Sequence, residues 1–205
     1  MTEVRIPVSS VGWARPLVVG IGGTGWLGST TERALDLALR AAEQDGAEVR
    51  LLGGAFLSAL PLYLPQHINR DPGALELLDL VTRADGVIVA SPSYHGGVSA
   101  LVKNALDYLE DLREDRRPYL DGRAVGCVVT AGGWQAGGAT LAALRSIVHA
   151  LRGWPTPLGV TLNTTQHPLD GDRPVAQLQL VGQQVVRFAA TFGEAQGTAE
   201  VRTAQ

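Results

Sequence analysis

The chain has 205 residues, 45% of them hydrophobic and 18% charged, with a net charge of −3. That balance suits one domain able to bury a full core. Its 17 basic residues form no block and no apolar run approaches the ~18 residues of a membrane span, so neither nucleic acid nor membrane is the expected partner. Residues 1–15 read as an arm without the ordered regions of a secretory signal, and a cytoplasmic location is the default expectation.

After the arm, β-type runs alternate with helical patterns. Leu17–Ile21 is an apolar run ending in glycines, and residues 31–43 carry Ala34, Leu35, Ala38, Leu39 and Ala42 at helical spacing. A second strand is expected over 49–52, a loop or short helix over 53–69, and a helix over 72–84 opened by Pro72. Val87–Ala90 is a third strand whose unbroken apolar run suits burial on both faces of a parallel sheet. Then follow a helix over 99–112, a strand over 124–129, a helix over 138–151, a strand over 156–162, a helix over 175–192 and a disordered tail from 194. The alternation predicts an α/β fold: one domain over 16–193, with helices on both faces of a doubly wound, five-stranded parallel sheet. Such sheets bind ligands at the carboxyl ends of their strands.

Glycine is in excess, at 25 residues. Ten of them cluster after the first, third and fourth strands, at Gly22, Gly23, Gly25 and Gly28, at Gly96 and Gly97, and at Gly132, Gly133, Gly137 and Gly138. Glycines grouped in this way predict loops whose backbone approaches a ligand closely. The only cysteine, Cys127, sits in an apolar strand and reads as a buried structural thiol. His67, His149 and His167 have no metal-ligand spacing, and no metal site is expected.

The first loop admits three readings. It matches the dinucleotide fingerprint G-x-G-x-x-G twice, but the second strand ends without the carboxylate that would hold a ribose. It approaches a P-loop, but Ser29 stands where the phosphate-binding lysine belongs. The third reading is a cradle for one phosphomonoester, in which the hydroxyls of Ser29, Thr30 and Thr31 and free backbone N–H groups at a helix start bind the dianion. Ser and Thr there are also ordinary helix caps.

The segment Pro92-Ser93-Tyr94-His95-Gly96-Gly97, continuing to Lys103, Asn104 and Asp107, resembles the P-x-Y-x-G-x-x-x-x-L-K-N-x-x-D signature of the NADPH-dependent FMN reductase family, with Leu101 one residue early. The first loop resembles that family's G-S-x-R-x-x-S-x-T/N at Gly23, Thr24, Ser29 and Thr31, while Trp26 takes the arginine position. Arg33 is the cation nearest in sequence to replace that arginine. The resemblance implies a flavodoxin-like three-layer domain that binds FMN and uses NADPH or NADH as electron donor. It places Thr24, Ser29, Thr30 and Thr31 at the phosphate. It places Pro92, Ser93, Tyr94, His95, Gly96, Gly97, Ala131, Gly132 and Gly133 at the flavin ring.

The implied reaction passes hydride through the flavin to a flavin, a quinone or another small acceptor, with His95 as an accessory and no catalytic acid–base pair. The resemblance also implies a homodimer or homotetramer, and a flavin-dependent monooxygenase as a candidate partner. Lys103, Asn104 and Asp107 fall inside a helix, where they are expected to brace the helix, its loop or a subunit contact. Trp134 suggests a lid or a dimer contact. A flavodoxin-type electron carrier and a flavin-dependent tailoring enzyme are the alternative readings.

Overall fold

The protein is described here by a computed structural model covering residues 15–166, 169 and 171–203, with backbone alone beyond Phe192. The expected arm lies outside these residues apart from Arg15, as does His167. Five strands run parallel: β1 (Leu17–Gly22), β2 (Glu48–Leu52), β3 (Gly86–Tyr94), β5 (Ala124–Ala131) and β6 (Trp154–Asn163). A short sixth strand, β4 (Gly97–Val98), folds back antiparallel onto β3. The parallel strands lie in the order β2-β1-β3-β5-β6, so the chain reverses direction across the sheet between β1 and β3. This is the flavodoxin-like order, whose ligand crevice lies at that reversal.

β1 and β5 are buried along their whole length and β3 along all but its last two residues, which is why they read as unbroken apolar runs. Successive residues serve opposite faces, as the two-residue period of a strand requires. Val18 and Ile88 join Leu35, Leu39, Leu178 and Val181 beneath α1 (Thr30–Gln44) and α6 (Asp172–Thr203). Val19, Val87 and Val89 join Leu57, Leu77, Leu106 and Leu144. That second face is covered by α2 (Gly54–Ala59), α3 (Pro72–Arg83), α4 (Ala100–Asp107) and α5 (Trp134–Ala150). Three layers result, as expected. Each fully buried leucine contributes about 1.5–3 kcal/mol.

Four boundaries differ from the sequence expectation, the first three because tertiary contacts act where local pattern is weak. The expected helix over 99–112 tightens into a 3-10 turn at Tyr108–Leu112. Here the Tyr108 hydroxyl donates to the Pro61 carbonyl and Arg70 clamps Asp111 in a bidentate pair at 2.6 and 2.7 Å. β3 runs on to Tyr94 because β4 gives its last residues a partner. α5 starts at Trp134 rather than 138, so Gly137 and Gly138 are helical and not part of a ligand loop. At Gly137 a Cβ would lie 2.3 Å from the Thr161 side chain, so this glycine lets α5 approach β6 closely. Finally, α6 begins at Asp172 and continues to Thr203, where a helix ending at 192 and a disordered tail were expected. Glu, Ala and Gln in that stretch are good helix formers and outweigh its two glycines.

Cys127 is buried in β5, and burial pushes its thiol up to about 12. An exposed thiol ionises near 8.5 and reacts as thiolate. The folded protein should therefore leave a disulfide reagent at pH 8 unreacted, and denaturation should release one thiol. Rapid titration of the native thiol would contradict this placement.

Candidate functional site

The three loops that follow β1, β3 and β5 converge on one open cleft of about 270 Å³ at the carboxyl edge of the sheet. Thr24, Ser29, Thr30 and Thr31 form one wall, Pro92, Ser93 and Tyr94 a second, and Ala131 and Gly132 a third. His95, Gly96, Gly97 and Gly133, expected with them, lie outside this lining. Every lining side chain is uncharged, and Arg33 is exposed outside it. Trp26 therefore has no cationic substitute in the cleft.

The first loop is held open by its own hydrogen bonds. Ser29 caps α1, its hydroxyl accepting from the Glu32 backbone N–H at 3.2 Å. The Glu32 carboxylate accepts from the N–H of Gly28 at 3.1 Å and from that of Gly54 at 2.7 Å. One side chain thus ties the loop to the start of α2. The approach is so close that a Cβ on Gly54 would fall 1.6 Å from the Thr24 carbonyl oxygen. Thr31 meets Thr130 of β5, hydroxyl to hydroxyl, at 2.5 Å. The Thr24 hydroxyl oxygen is the exception: it is buried and has no hydrogen-bond partner among the described residues. A buried hydroxyl without a partner costs roughly 1–3 kcal/mol. It lies beside the N-terminus of α1, where the helix dipole and free N–H groups favour an anion.

The second loop is a two-residue hairpin. His95 and Gly96 both take positive φ, 54° and 77°, as a type I′ turn between β3 and β4 requires. Non-glycine residues are uncommon in that conformation, histidine being one of the better tolerated, and the turn carries it out to solvent. Tyr94, 53% exposed, remains on the cleft wall. The Ser93 hydroxyl turns to α5, within 2.7 Å of the Thr140 hydroxyl and 3.1 Å of the Ala136 carbonyl. The signature residues beyond the turn are braces. Asn104 accepts from the Tyr63 N–H and donates to the Pro61 carbonyl, both at 2.8 Å, while Lys103 pairs with Asp107 on the surface of α4.

The third loop is buttressed from β6. The Thr164 hydroxyl donates to the Ala131 carbonyl and the Thr165 hydroxyl to that of Gly132. Thr130, Thr164 and Trp26 line the cleft although they were not among the expected contacts. The Asn163-Thr164-Thr165 run was visible in the sequence, but only its position at the end of β6 gives it meaning. Among the described residues no cluster of His, Cys, Asp and Glu offers a metal site, and no helix is long and apolar enough to cross a membrane.

Comparison with known proteins points the same way. Residues 16–167 match the family described as NADPH-dependent FMN reductase. The chain is 36% identical over 98 residues to an NADPH azoreductase of Bacillus sp. (strain OY1-2), covering 47% of this chain and 50% of that protein. It thus spans about half the length of this curated relative. Among solved structures, an NADH:FMN oxidoreductase in its apo form superposes with a TM-score of 0.69 at 23% identity, covering 86% of this chain and 89% of that one. A flavodoxin, WrbA-like protein from Agrobacterium tumefaciens superposes at 0.62 with 15% identity, covering 86% and 99%. At these identities the structural likeness shows the fold.

Proposed function

The chain belongs to the NADPH-dependent FMN reductase family, and on that premise we propose that the cleft holds FMN in an NAD(P)H-dependent oxidoreductase that reduces a flavin, a quinone or another small acceptor. The observation that carries this reading is the unpartnered, buried Thr24 hydroxyl beside Ser29, Thr30 and Thr31. A phosphate supplies the acceptor that this hydroxyl lacks, and the N-terminus of α1 supplies a favourable field. Because the wall carries no cation, the dianion is held by hydroxyls, backbone N–H groups and helix dipole.

When bound, FMN supplies the redox chemistry, taking a hydride from NADH or NADPH and reducing a second molecule. The protein's own residues position it. Tyr94 would cover a face or edge of the ring, Pro92 would stiffen the backbone of that loop, and Ala131 and Gly132 would offer main-chain groups to its polar edge. His95 stands at the exposed turn beyond the cleft lining, and an accessory role there would be one toward the incoming donor or acceptor. No residue need exchange a proton in a fixed pair. A homodimer or homotetramer is part of the same reading, and light scattering tests it.

Steady-state assays of purified protein should show oxidation of NADH or NADPH coupled to a flavin, quinone or azo acceptor. A protein that binds FMN yet oxidises neither donor would be an electron carrier instead. The relative covered to half its length acts on azo compounds by name, so an azo acceptor belongs in the screen.

A further inference from the structure

Both ends of the loop joining β1 to α1 are fixed by one side chain that does not itself line the cleft. Glu32 is the third residue of α1, three positions after the Ser29 cap. In a capping box, a glutamate there reaches back to the N–H of the cap residue itself. Glu32 instead accepts from the N–H of Gly28, one residue earlier, and gives its second oxygen to the N–H of Gly54 at the start of α2. Gly28 directly precedes Ser29, Thr30 and Thr31, so this bond holds the far end of the loop. The near end is held through Gly54, whose backbone presses against that of Thr24.

The slot around the carboxylate leaves no room for another side chain. A Cβ on Gly53 would lie 2.7 Å from Glu32 Oε2, and one on Gly23 would lie 3.2 Å from that oxygen and 2.7 Å from the Gly54 nitrogen. Gly23 and Gly28 both hold positive φ, 123° and 71°, so the loop turns on a glycine at each end. Glycine turns impose little shape of their own, which leaves the tethers to set it. We propose that Glu32 is a positioning residue: it sets the spacing between the Thr24 hydroxyl and those of Ser29, Thr30 and Thr31, and so the preference of the cleft for a flavin with a phosphate over one without. This role rests on the reading of the cleft as the FMN site.

Charge and geometry predict opposite results for Glu32→Gln. A carboxylate near a phosphate dianion repels it, so on charge alone the amide would tighten FMN. On geometry the amide weakens FMN, because it presents one acceptor and one donor where two N–H groups each need an acceptor. Glu32→Asp keeps the charge at the start of α1, which favours the helix, but is one methylene too short to span both N–H groups. Flavin-free wild type and both variants are titrated with FMN and with riboflavin, with thermal melts alongside to verify folding. FMN affinity should fall about tenfold in each variant, while riboflavin affinity stays at the wild-type value. Unaltered or tighter FMN binding by Glu32→Gln would overturn the role, and Glu32→Asp decides in the same way if the amide variant does not fold. An equal loss for both flavins would also overturn it, since a side chain that merely supports the fold loosens the whole cleft. If the wild type binds the two flavins equally, the phosphate reading itself falls and this role with it, whereas a wild-type preference for FMN kept by the variants sinks the role alone.

Discussion

Thr24→Val is expected to stabilise the ligand-free protein while weakening FMN, two effects of opposite sign from one nearly isosteric change. The hydroxyl is buried without a partner, so its removal relieves about 1–3 kcal/mol of unmet desolvation. A hydrogen bond to a charged phosphate contributes roughly 1.5–3 kcal/mol, so FMN affinity should fall by at least about tenfold. Riboflavin, which has no phosphate, should bind both proteins alike. Thermal melts of apoprotein, with titrations of both flavins, read all three quantities. A variant that loses stability and affinity together would mean the hydroxyl serves packing, as a mere structural residue does.

The second large effect lies at the opposite end of the sheet. Arg123 is fully buried, and its guanidinium donates to the carbonyls of Thr82 at 2.7 Å, Ala84 at 3.0 Å, and Tyr119 and Asp121 at 3.2 Å. The first two lie at the C-terminal end of α3, where a cation also meets the negative pole of the helix. Burial lowers its pKa to about 10, with Arg117 nearby adding to the effect, so the cation persists through the physiological range. Arg123→Met keeps the bulk but takes this donor from the Thr82 and Tyr119 carbonyls and leaves those of Ala84 and Asp121 to Arg117 at 3.4 Å, at a cost of about 3–5 kcal/mol. In a domain of this size the melting temperature should fall by roughly 10 °C or more. FMN affinity of the surviving folded protein should be unchanged, because Arg123 precedes β5 while the cleft lies beyond it. A melting temperature within a degree of wild type would contradict the account.

Arg123 also shows where sequence reading stops. Nothing in Asp121-Gly122-Arg123-Ala124 distinguishes an arginine that satisfies two distant carbonyls and two local ones from one on the surface. The parallel strands were legible because β1, β3 and β5 are buried on both faces and so carry no polar alternation. The cleft was legible in its first loop, where hydroxyls and glycines concentrate. It was misread where one local pattern has two uses. Gly137 and Gly138 look like loop glycines, yet they lie in α5, where Gly137 gives close contact with β6. Thr130 and Thr164 reach the cleft only because β5 and β6 end side by side. Such convergence is a property of sheet register, which no short motif carries.

The central claim is that the loop joining β1 to α1 grips a phosphomonoester on a flavin. Titration of flavin-free protein with FMN and with riboflavin tests it most directly, followed by quenching of flavin fluorescence. The account predicts saturable binding at micromolar FMN or below, and riboflavin weaker by at least about tenfold, the difference shrinking when Ser29 and Thr31 are replaced by alanine. Equal affinity for both flavins, or no binding at micromolar FMN, would contradict it.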